Sequence, residues 1–400
     1  MAAPEQSPST AGRPWYAVAA AVFAVGMAGT TLPTPLYGLY REQIGFSQFM
    51  VTVIFAVYAA GVIAALLLAG NFSDLLGRRP IIFAALVLSA LSAVCFVFEN
   101  GLPLLFVGRL LSGLAAGLLS GAATAAVTEL ATPAQRGRAG LAATAANMGG
   151  LGCGPLLSGI LAQYAPYPLR LPYLVHLGLL AVCVPLLHAI PETVQAAVPR
   201  PRLRPQGMVV PARIRSVFAP AALAAFAGFS VLGLFTAVAP SFASQYLGVD
   251  NLAVEGAIVL AAFLASTVGQ MLTTRIGAAQ ALPLGCGVLV AGLALIGGSL
   301  LAESLALLIV GALVAGAGQG MSFRASVAQV SQVAPVKQRG ATISALFVAA
   351  YFGISVPVVG IGAVAVGLGL RSAGLVFVAC MIAVSGAVGL YLLRRPAPAS

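Results

Sequence analysis

The sequence contains very little charge. Of its 400 residues only 7% are Asp, Glu, Lys or Arg, against about 25% in a typical soluble domain. Hydrophobic residues make up 60% of the chain, and the mean hydropathy is +1.03. A soluble domain is therefore excluded, and the composition indicates a polytopic membrane protein in which the bilayer takes the place of a large core.

The sequence also lacks the short motifs that would indicate catalysis or direct use of ATP. It has no GxxxxGK[ST] phosphate loop, no HExxH and no GxSxG. Its cysteines all fall in apolar segments without the spacing of metal ligands: Cys95, Cys153, Cys183, Cys286 and Cys380. We therefore expect no enzyme activity, no metal and no cofactor, and interpret the cysteines as small packing residues.

The chain consists largely of long apolar runs. Segments of about 20 residues, the length that crosses a bilayer, recur twelve times. We predict an all-α polytopic membrane protein with 12 transmembrane helices in two pseudo-symmetric six-helix bundles, at residues 15–190 and 217–393. A linker at 191–216, rich in proline and arginine, separates the bundles, and tails at 1–14 and 394–400 flank them.

The net charge of +11 comes from basic residues with a one-sided distribution. Fifteen of the 20 fall in segments on one predicted side, three fall on the other, and Arg109 and Arg324 lie within apolar segments. By the positive-inside rule, the richer side is cytoplasmic. The distribution argues against nucleic-acid binding and predicts that both termini lie in the cytoplasm. We expect the protein in the inner (plasma) membrane of a bacterium.

A charged turn between the second and third spans carries the most specific pattern. It contains Gly70, Asp74, Gly77, Arg78 and Arg79, and it resembles the loop signature between helices 2 and 3 of the major facilitator superfamily. Leu75 and Phe72 depart from that signature. The resemblance implies a conformational switch, in which Asp74 engages a helix N-terminus or an arginine of the opposite half. An ordinary positively charged turn is the alternative.

Two further motifs resemble the same family. Arg109 and Gly113 match the arginine and glycine of its fourth helix, although Ser112 stands where glutamine is usual. A cation there should face the bundle interior, unless it reaches the outer headgroups. The fifth helix resembles the signature of drug-proton antiporters, which it matches at Gly150, Gly154, Pro155 and Gly159. Ser158 and Leu141 depart from that signature. Close helix packing without antiport is the alternative.

Candidate site residues follow from residue type within the spans. We expect a substrate cavity between the halves, as the resemblance implies, and its possible lining residues are Thr34, Asn147, Phe235, Gln319, Arg324 and Tyr351. All nine acids lie outside the predicted bilayer centre. The possible proton carriers are therefore His176 and Glu255, each near the outer end of its helix.

Together these features predict a secondary active transporter. The resemblance implies proton-coupled efflux of a small amphiphilic drug or metabolite by alternating access, in a protein that works as a monomer. An importer or facilitator of a neutral or anionic solute is the first alternative, favoured if the fifth helix is only a packing surface. A membrane sensor on the same fold that transports nothing is the second.

Overall fold

A computed structural model describes residues 15–194 and 207–394. In these two ranges the chain consists of α-helices and short 3-10 turns, without a β-strand. The helices are α1 Trp15–Thr31, α2 Tyr37–Ile44, α3 Gln48–Ala69, α4 Phe72–Leu76, α5 Arg78–Val97, α6 Leu102–Glu129, α7 Arg136–Tyr164, α8 Leu171–Ala189, α9 Arg215–Ala237, α10 Ala239–Leu247, α11 Leu252–Ile276, α12 Ala278–Ala302, α13 Leu305–Val333 and α14 Arg339–Arg394.

Ten helices of the described ranges are long and apolar enough to cross a membrane. One of them, α14, is 56 residues long and has a non-helical backbone at Gly369 (φ 79°, ψ 160°), so it comprises two spans joined at a kink. α1 adds a shorter apolar helix of 17 residues, which continues through a turn into α2. Counting α1 and both arms of α14 gives twelve spans, and the predicted all-α polytopic fold is confirmed.

The spans fall into a first half, α1–α8, and a second half, α9–α14. Between the halves, α7 packs against α11 and α3 packs against α14. α8 ends at Ala189 and α9 begins at Arg215. The predicted tails lie outside the described residues except for Arg394, as do residues 195–206 of the predicted linker.

Glycines bring some helices into backbone contact. A Cβ atom on Gly61 of α3 would lie 2.6 Å from the Leu110 carbonyl oxygen and 3.1 Å from the Cα of Gly113, both on α6. Neither glycine could carry a side chain without separating the two helices. This close approach is how helices associate in lipid, where no hydrophobic force drives them together, and it fixes α6 beside α3.

The end of α1 frees backbone oxygen atoms at membrane depth. The helix stops at Thr31, and a turn then leads into α2 at Tyr37. Pro33 has no N–H to donate to the Gly29 carbonyl, and the Thr34 N–H donates to the Thr31 oxygen at 3.1 Å. The Thr30 carbonyl oxygen therefore becomes available to a partner from another helix.

Candidate functional site

The charged loop after α3 folds around Arg78. Gly70 ends α3 with right-handed backbone (φ −57°), and Gly77 has a φ of 105°, which glycine adopts without strain, so that the chain turns directly into α5. The Arg78 Nη1 atom donates to Asp74 Oδ1 at 2.5 Å and to Ser73 Oγ at 2.7 Å. In this conformation Asp74 pairs with Arg78 of its own half; its engagement with a helix N-terminus or an arginine of the opposite half stays a prediction.

Arg78 also binds the last residue of α6. Its Nη2 and Nε atoms donate to the two Glu129 carboxylate oxygens, at 2.8 Å and 3.1 Å. Such two-point, charge-assisted contacts are both stronger and more directional than single ones. The Arg78 side chain is 10% exposed and that of Glu129 is 36% exposed, so water screens this pair only in part. Thr193 donates its hydroxyl to the same carboxylate.

A second acid caps the start of α5. The Arg78 and Arg79 backbone N–H groups donate to the two oxygens of Glu192, at 2.8 Å and 2.9 Å. A carboxylate at this position satisfies N–H groups that lack helical partners and lies at the positive end of the helix dipole. The Glu129 and Glu192 contacts tie α5, α6 and the segment after α8 together, and the Arg78 contacts with Ser73 and Asp74 add α4 to the same unit.

Glu129, Glu192 and Thr193 were not predicted as site residues. Glu129 and Glu192 each lie at the end of an apolar span, on the same predicted side of the membrane as the loop that contains Arg78. Acids at span ends on the side of a basic loop are the signal that could have identified them.

A cavity of about 40 Å³ lies between the two halves. We call it the central cavity. Seven aromatic side chains line it: Phe55, Tyr58, Phe229, Phe263, Phe323, Phe347 and Tyr351. Tyr58 belongs to the first half and Tyr351 to the second, so both halves contribute to the lining. The other polar residues that line the central cavity are Thr31, Arg109, Ser120, Asn147 and Thr236. The site therefore combines a large aromatic surface with few polar groups, which is typical of pockets for small organic molecules.

Arg109 is the only formally charged residue among the described residues that line the central cavity. It is 2% exposed, which excludes the alternative in which it reaches the lipid headgroups. Its Nη1 atom donates to the freed Thr30 carbonyl oxygen at 2.6 Å. Its guanidinium carbon lies 5.4 Å from the centre of the Phe55 ring and 4.6 Å from that of Tyr58, in the range of cation–π contacts.

The other predicted cavity residues are divided between several locations. Asn147 and Tyr351 line the central cavity, whereas Phe235, Gln319 and Arg324 are absent from its lining. Phe235 is fully buried in the hydrophobic core. The Gln319 side-chain oxygen accepts a hydrogen bond from Ser266 at 2.6 Å inside the second half, and Arg324 is half-buried.

A larger cavity of about 800 Å³, which we call the vestibule, lies where α2 and α10 meet the ends of both halves opposite the Arg78 loop. It shares no lining residue with the central cavity. Thr34 lines the vestibule, and so do Arg41, Asp250 and Glu255. Glu255 lies in the first turn of α11 and is only 5% exposed. An acid this deeply covered is rare unless it has a role.

His176 lies inside the first half, away from the lining of both cavities. Its Nε2 atom is 3.1 Å from the Ser89 hydroxyl, and the ring packs against Gly29 so closely that a Cβ atom there would collide with it. Its Nδ1 atom has no hydrogen-bond partner. Of the two predicted proton carriers, Glu255 lines the vestibule and His176 lines neither of these two cavities.

The α7 glycines pack in two directions. Gly150 and Gly154 contact the backbone of α1 within the first half, where a Cβ atom on Gly150 would lie 2.5 Å from the Ala24 carbonyl oxygen. Gly159, by contrast, packs on the Leu252 backbone of α11 in the second half. One part of the motif therefore stabilises the first half, and the other lies at the boundary between the halves.

The close contact at this boundary is reciprocal. Gly256 of α11 packs on the Pro155 carbonyl of α7, just as Gly159 of α7 packs on the Leu252 carbonyl of α11. Each helix thus presents a glycine to the backbone of the other, next to Glu255.

Two six-span halves around a shared cavity define the architecture of a secondary membrane transporter. Comparison with known sequences agrees: the profile described as Major Facilitator Superfamily matches residues 17–356, and the chain belongs to this family. The resemblance predicted from the sequence motifs is confirmed at the level of the superfamily.

Individual relatives match over parts of the chain. The class B tetracycline resistance protein of Escherichia coli is 29% identical over 36% of this chain and 35% of its own length. The arabinose-proton symporter of Bacillus subtilis is 28% identical over 28% of this chain and 26% of its own. These matches span about a third of the relatives or less. A crystal structure of a D-xylose-proton symporter shares the fold, with a TM-score of 0.73 at 15% identity, over 95% of this chain and 96% of that one.

Proposed function

We propose that the chain exports a small amphiphilic drug or metabolite in exchange for protons, by alternating access across a bacterial inner membrane. The observation that carries the proposal is the central cavity, where aromatic side chains of both halves surround a few polar groups. The tetracycline and multidrug resistance proteins among the partial relatives support efflux as the direction. In this proposal both termini and the Arg78 loop lie in the cytoplasm, and one chain suffices for transport.

Movement of one half against the other would expose the cavity to each side in turn. The contacts of Arg78 and Glu192 hold four segments of the first half together, which suits a half that moves as a rigid body. The reciprocal glycine contacts of α7 and α11 provide a boundary without protruding side chains, along which the halves can slide or rock. The fifth-helix motif then serves both packing and transport.

Glu255 is the proposed proton carrier. It is a buried acid in the vestibule, and its neighbour Gly256 packs on the Pro155 carbonyl at the boundary between the halves. A shift of α7 against α11 changes the surroundings of Glu255, so that loading and release of its proton can follow the movement. The enclosed position of His176 makes it the weaker candidate.

An importer or facilitator is the second candidate function. The partial match to the arabinose-proton symporter favours it. In that case protons would move with the solute or not at all.

Purified protein in liposomes separates the candidates. The vesicles contain a trapped pH indicator, a proton gradient is imposed, and tetracycline, arabinose, benzoate and ethidium are added in turn. Empty liposomes and Glu303→Gln protein serve as controls, because Glu303 is an exposed acid that lines neither cavity. Proton movement opposite to substrate supports the proposal, movement in the same direction supports the importer, and flux without protons supports the facilitator.

A further inference from the structure

We propose that the central cavity selects anionic amphiphiles and that the Arg109 guanidinium binds their carboxylate, or an equivalent anionic group. The inference rests on the proposed function and adds the charge class of the substrate. Two observations support the inference together: Arg109 is a buried cation without a counter-ion, and it lines an aromatic cavity between the halves.

Arg109 has no anionic partner in the structure. The ion pairs found within residues 15–194 and 207–394 involve Arg78 and Arg371 as their cations, and none involves Arg109. Its hydrogen-bond partner is a neutral carbonyl oxygen, that of Thr30. The Nε atom is buried and has no hydrogen-bond partner. An unsatisfied buried donor on a cation needs an explanation, because native structures contain few of them.

A purely structural role accounts for only part of this arrangement. The bond from Nη1 to Thr30 fixes α6 to the end of α1, but an uncharged donor could make it without the cost of burying a cation. The Phe55 and Tyr58 rings compensate the charge in part. A bound carboxylate would compensate it fully, since it accepts charge-assisted hydrogen bonds from two guanidinium N–H groups at once.

The rest of the lining suits the apolar part of such a ligand. The aromatic side chains from both halves offer faces on which a planar ring can stack. Asn147 adds a side-chain oxygen that is buried without a partner, and its amide can offer either donors or an acceptor to a polar substituent. No acid lines the cavity among the described residues, so a lipophilic cation would find Arg109 and no counter-charge.

The cavity must expand before it can hold such a ligand. Its volume of about 40 Å³ is far below the roughly 300 Å³ or more of typical ligand pockets. Expansion requires the halves to separate near Tyr58 and Tyr351, which line the cavity from the first and the second half respectively. Ligand binding and movement of the halves are therefore coupled at this site.

Three matched probes test the charge class on the unmodified protein. Their ring system is the same and their charge differs: naphthalene-2-carboxylate, its neutral amide, and the cationic 2-naphthylmethylammonium. Binding to the purified full chain is measured by isothermal titration calorimetry. We expect the carboxylate to bind about 10- to 100-fold more tightly than the amide, the range for a hydrogen-bonded ion pair, and the cation to bind most weakly. Equal binding of acid and amide, preference for the cation, or no binding of the acid at millimolar concentration overturns the proposal.

Variants then assign the preference to Arg109. Arg109→Gln should abolish the preference for the acid over the amide, Arg109→Lys should retain part of it, and Arg371→Gln, which changes an exposed arginine outside the cavity, should leave it unchanged. An undiminished preference in a folded Arg109→Gln protein contradicts the assignment. Liposome flux of the same probes separates the anion site from the proposed transport function. Transport of the amide or the cation alone refutes the anion site and leaves the transport function standing. Binding of the acid without flux of any probe supports the anion site and refutes transport.

Discussion

The ion pairs of Arg78 should stabilise the first half, mainly through the pair with Glu129 and much less through the pair with Asp74. Glu129→Gln removes a two-point ion pair with contacts of 2.8 Å and 3.1 Å. A fully buried pair would cost about 3–5 kcal/mol to break and an exposed one about 0.2–1 kcal/mol. Because the two side chains are 10% and 36% exposed, we expect a loss of about 1–2 kcal/mol, between these limits. The Asp74 side chain is 62% exposed, so Asp74→Asn should cost about 0.5 kcal/mol or less.

Reversible unfolding in mixed micelles measures these losses. The mole fraction of SDS is raised, helix content is followed by far-ultraviolet circular dichroism, and Arg78→Gln with Glu129→Gln completes a double-mutant cycle. The coupling energy of the cycle should again be about 1–2 kcal/mol. A cost of Asp74→Asn equal to that of Glu129→Gln, or a coupling energy near zero, would refute the reasoning.

Three further substitutions address transport. Asp74→Ala should reduce transport at an equal level of folded protein, because it removes the charged one of the two contacts that hold Arg78 to α4; unchanged flux would exclude a switch role. Gly159→Leu should slow transport, because the side chain would collide with the facing helix, whereas Gly149→Leu on the same helix meets open space and should be tolerated. Equal flux in these two leucine variants would remove the boundary from the mechanism. Glu255→Gln should permit substrate exchange and abolish substrate-dependent proton movement, and a normal proton signal would assign coupling to another group.

The overall fold could be predicted because few alternatives exist for such a sequence. In a bilayer every backbone polar group must be paired within the structure, so long apolar runs become helices and their number sets the topology. The break in α14 at Gly369 and the early end of α1 at Thr31 change the lengths of the spans without changing their number.

The site was predicted less completely, because it depends on which face each helix presents. Asn147 and Tyr351 were chosen by residue type and line the central cavity, but Phe235 and Gln319, chosen by the same criterion, pack within the second half. Helix rotation is set by glycine contacts between helices distant in the sequence, such as that of Gly61 with α6. Residue type within a span does not reveal this rotation.

The contacts of Glu129 and Glu192 are similarly non-local. Glu192 is 114 residues from Arg78 in the sequence, and Glu129 is 51 residues away. Both acids could be recognised as lying near the ends of apolar spans, but their pairing with one arginine depends on how α5, α6 and α8 meet in space.

Alternating access is tested most directly by distances across the boundary at both ends of the molecule. In protein whose native cysteines are replaced, one pair of spin labels is placed at Glu42 and Gln245 beside the vestibule, and the other at Thr132 and Gln332 at the opposite end; all four positions are exposed. Distances are measured by pulsed electron resonance at two pH values, with and without a transported compound. The account predicts that one distance lengthens while the other shortens, and distances that both stay fixed or change together would contradict it.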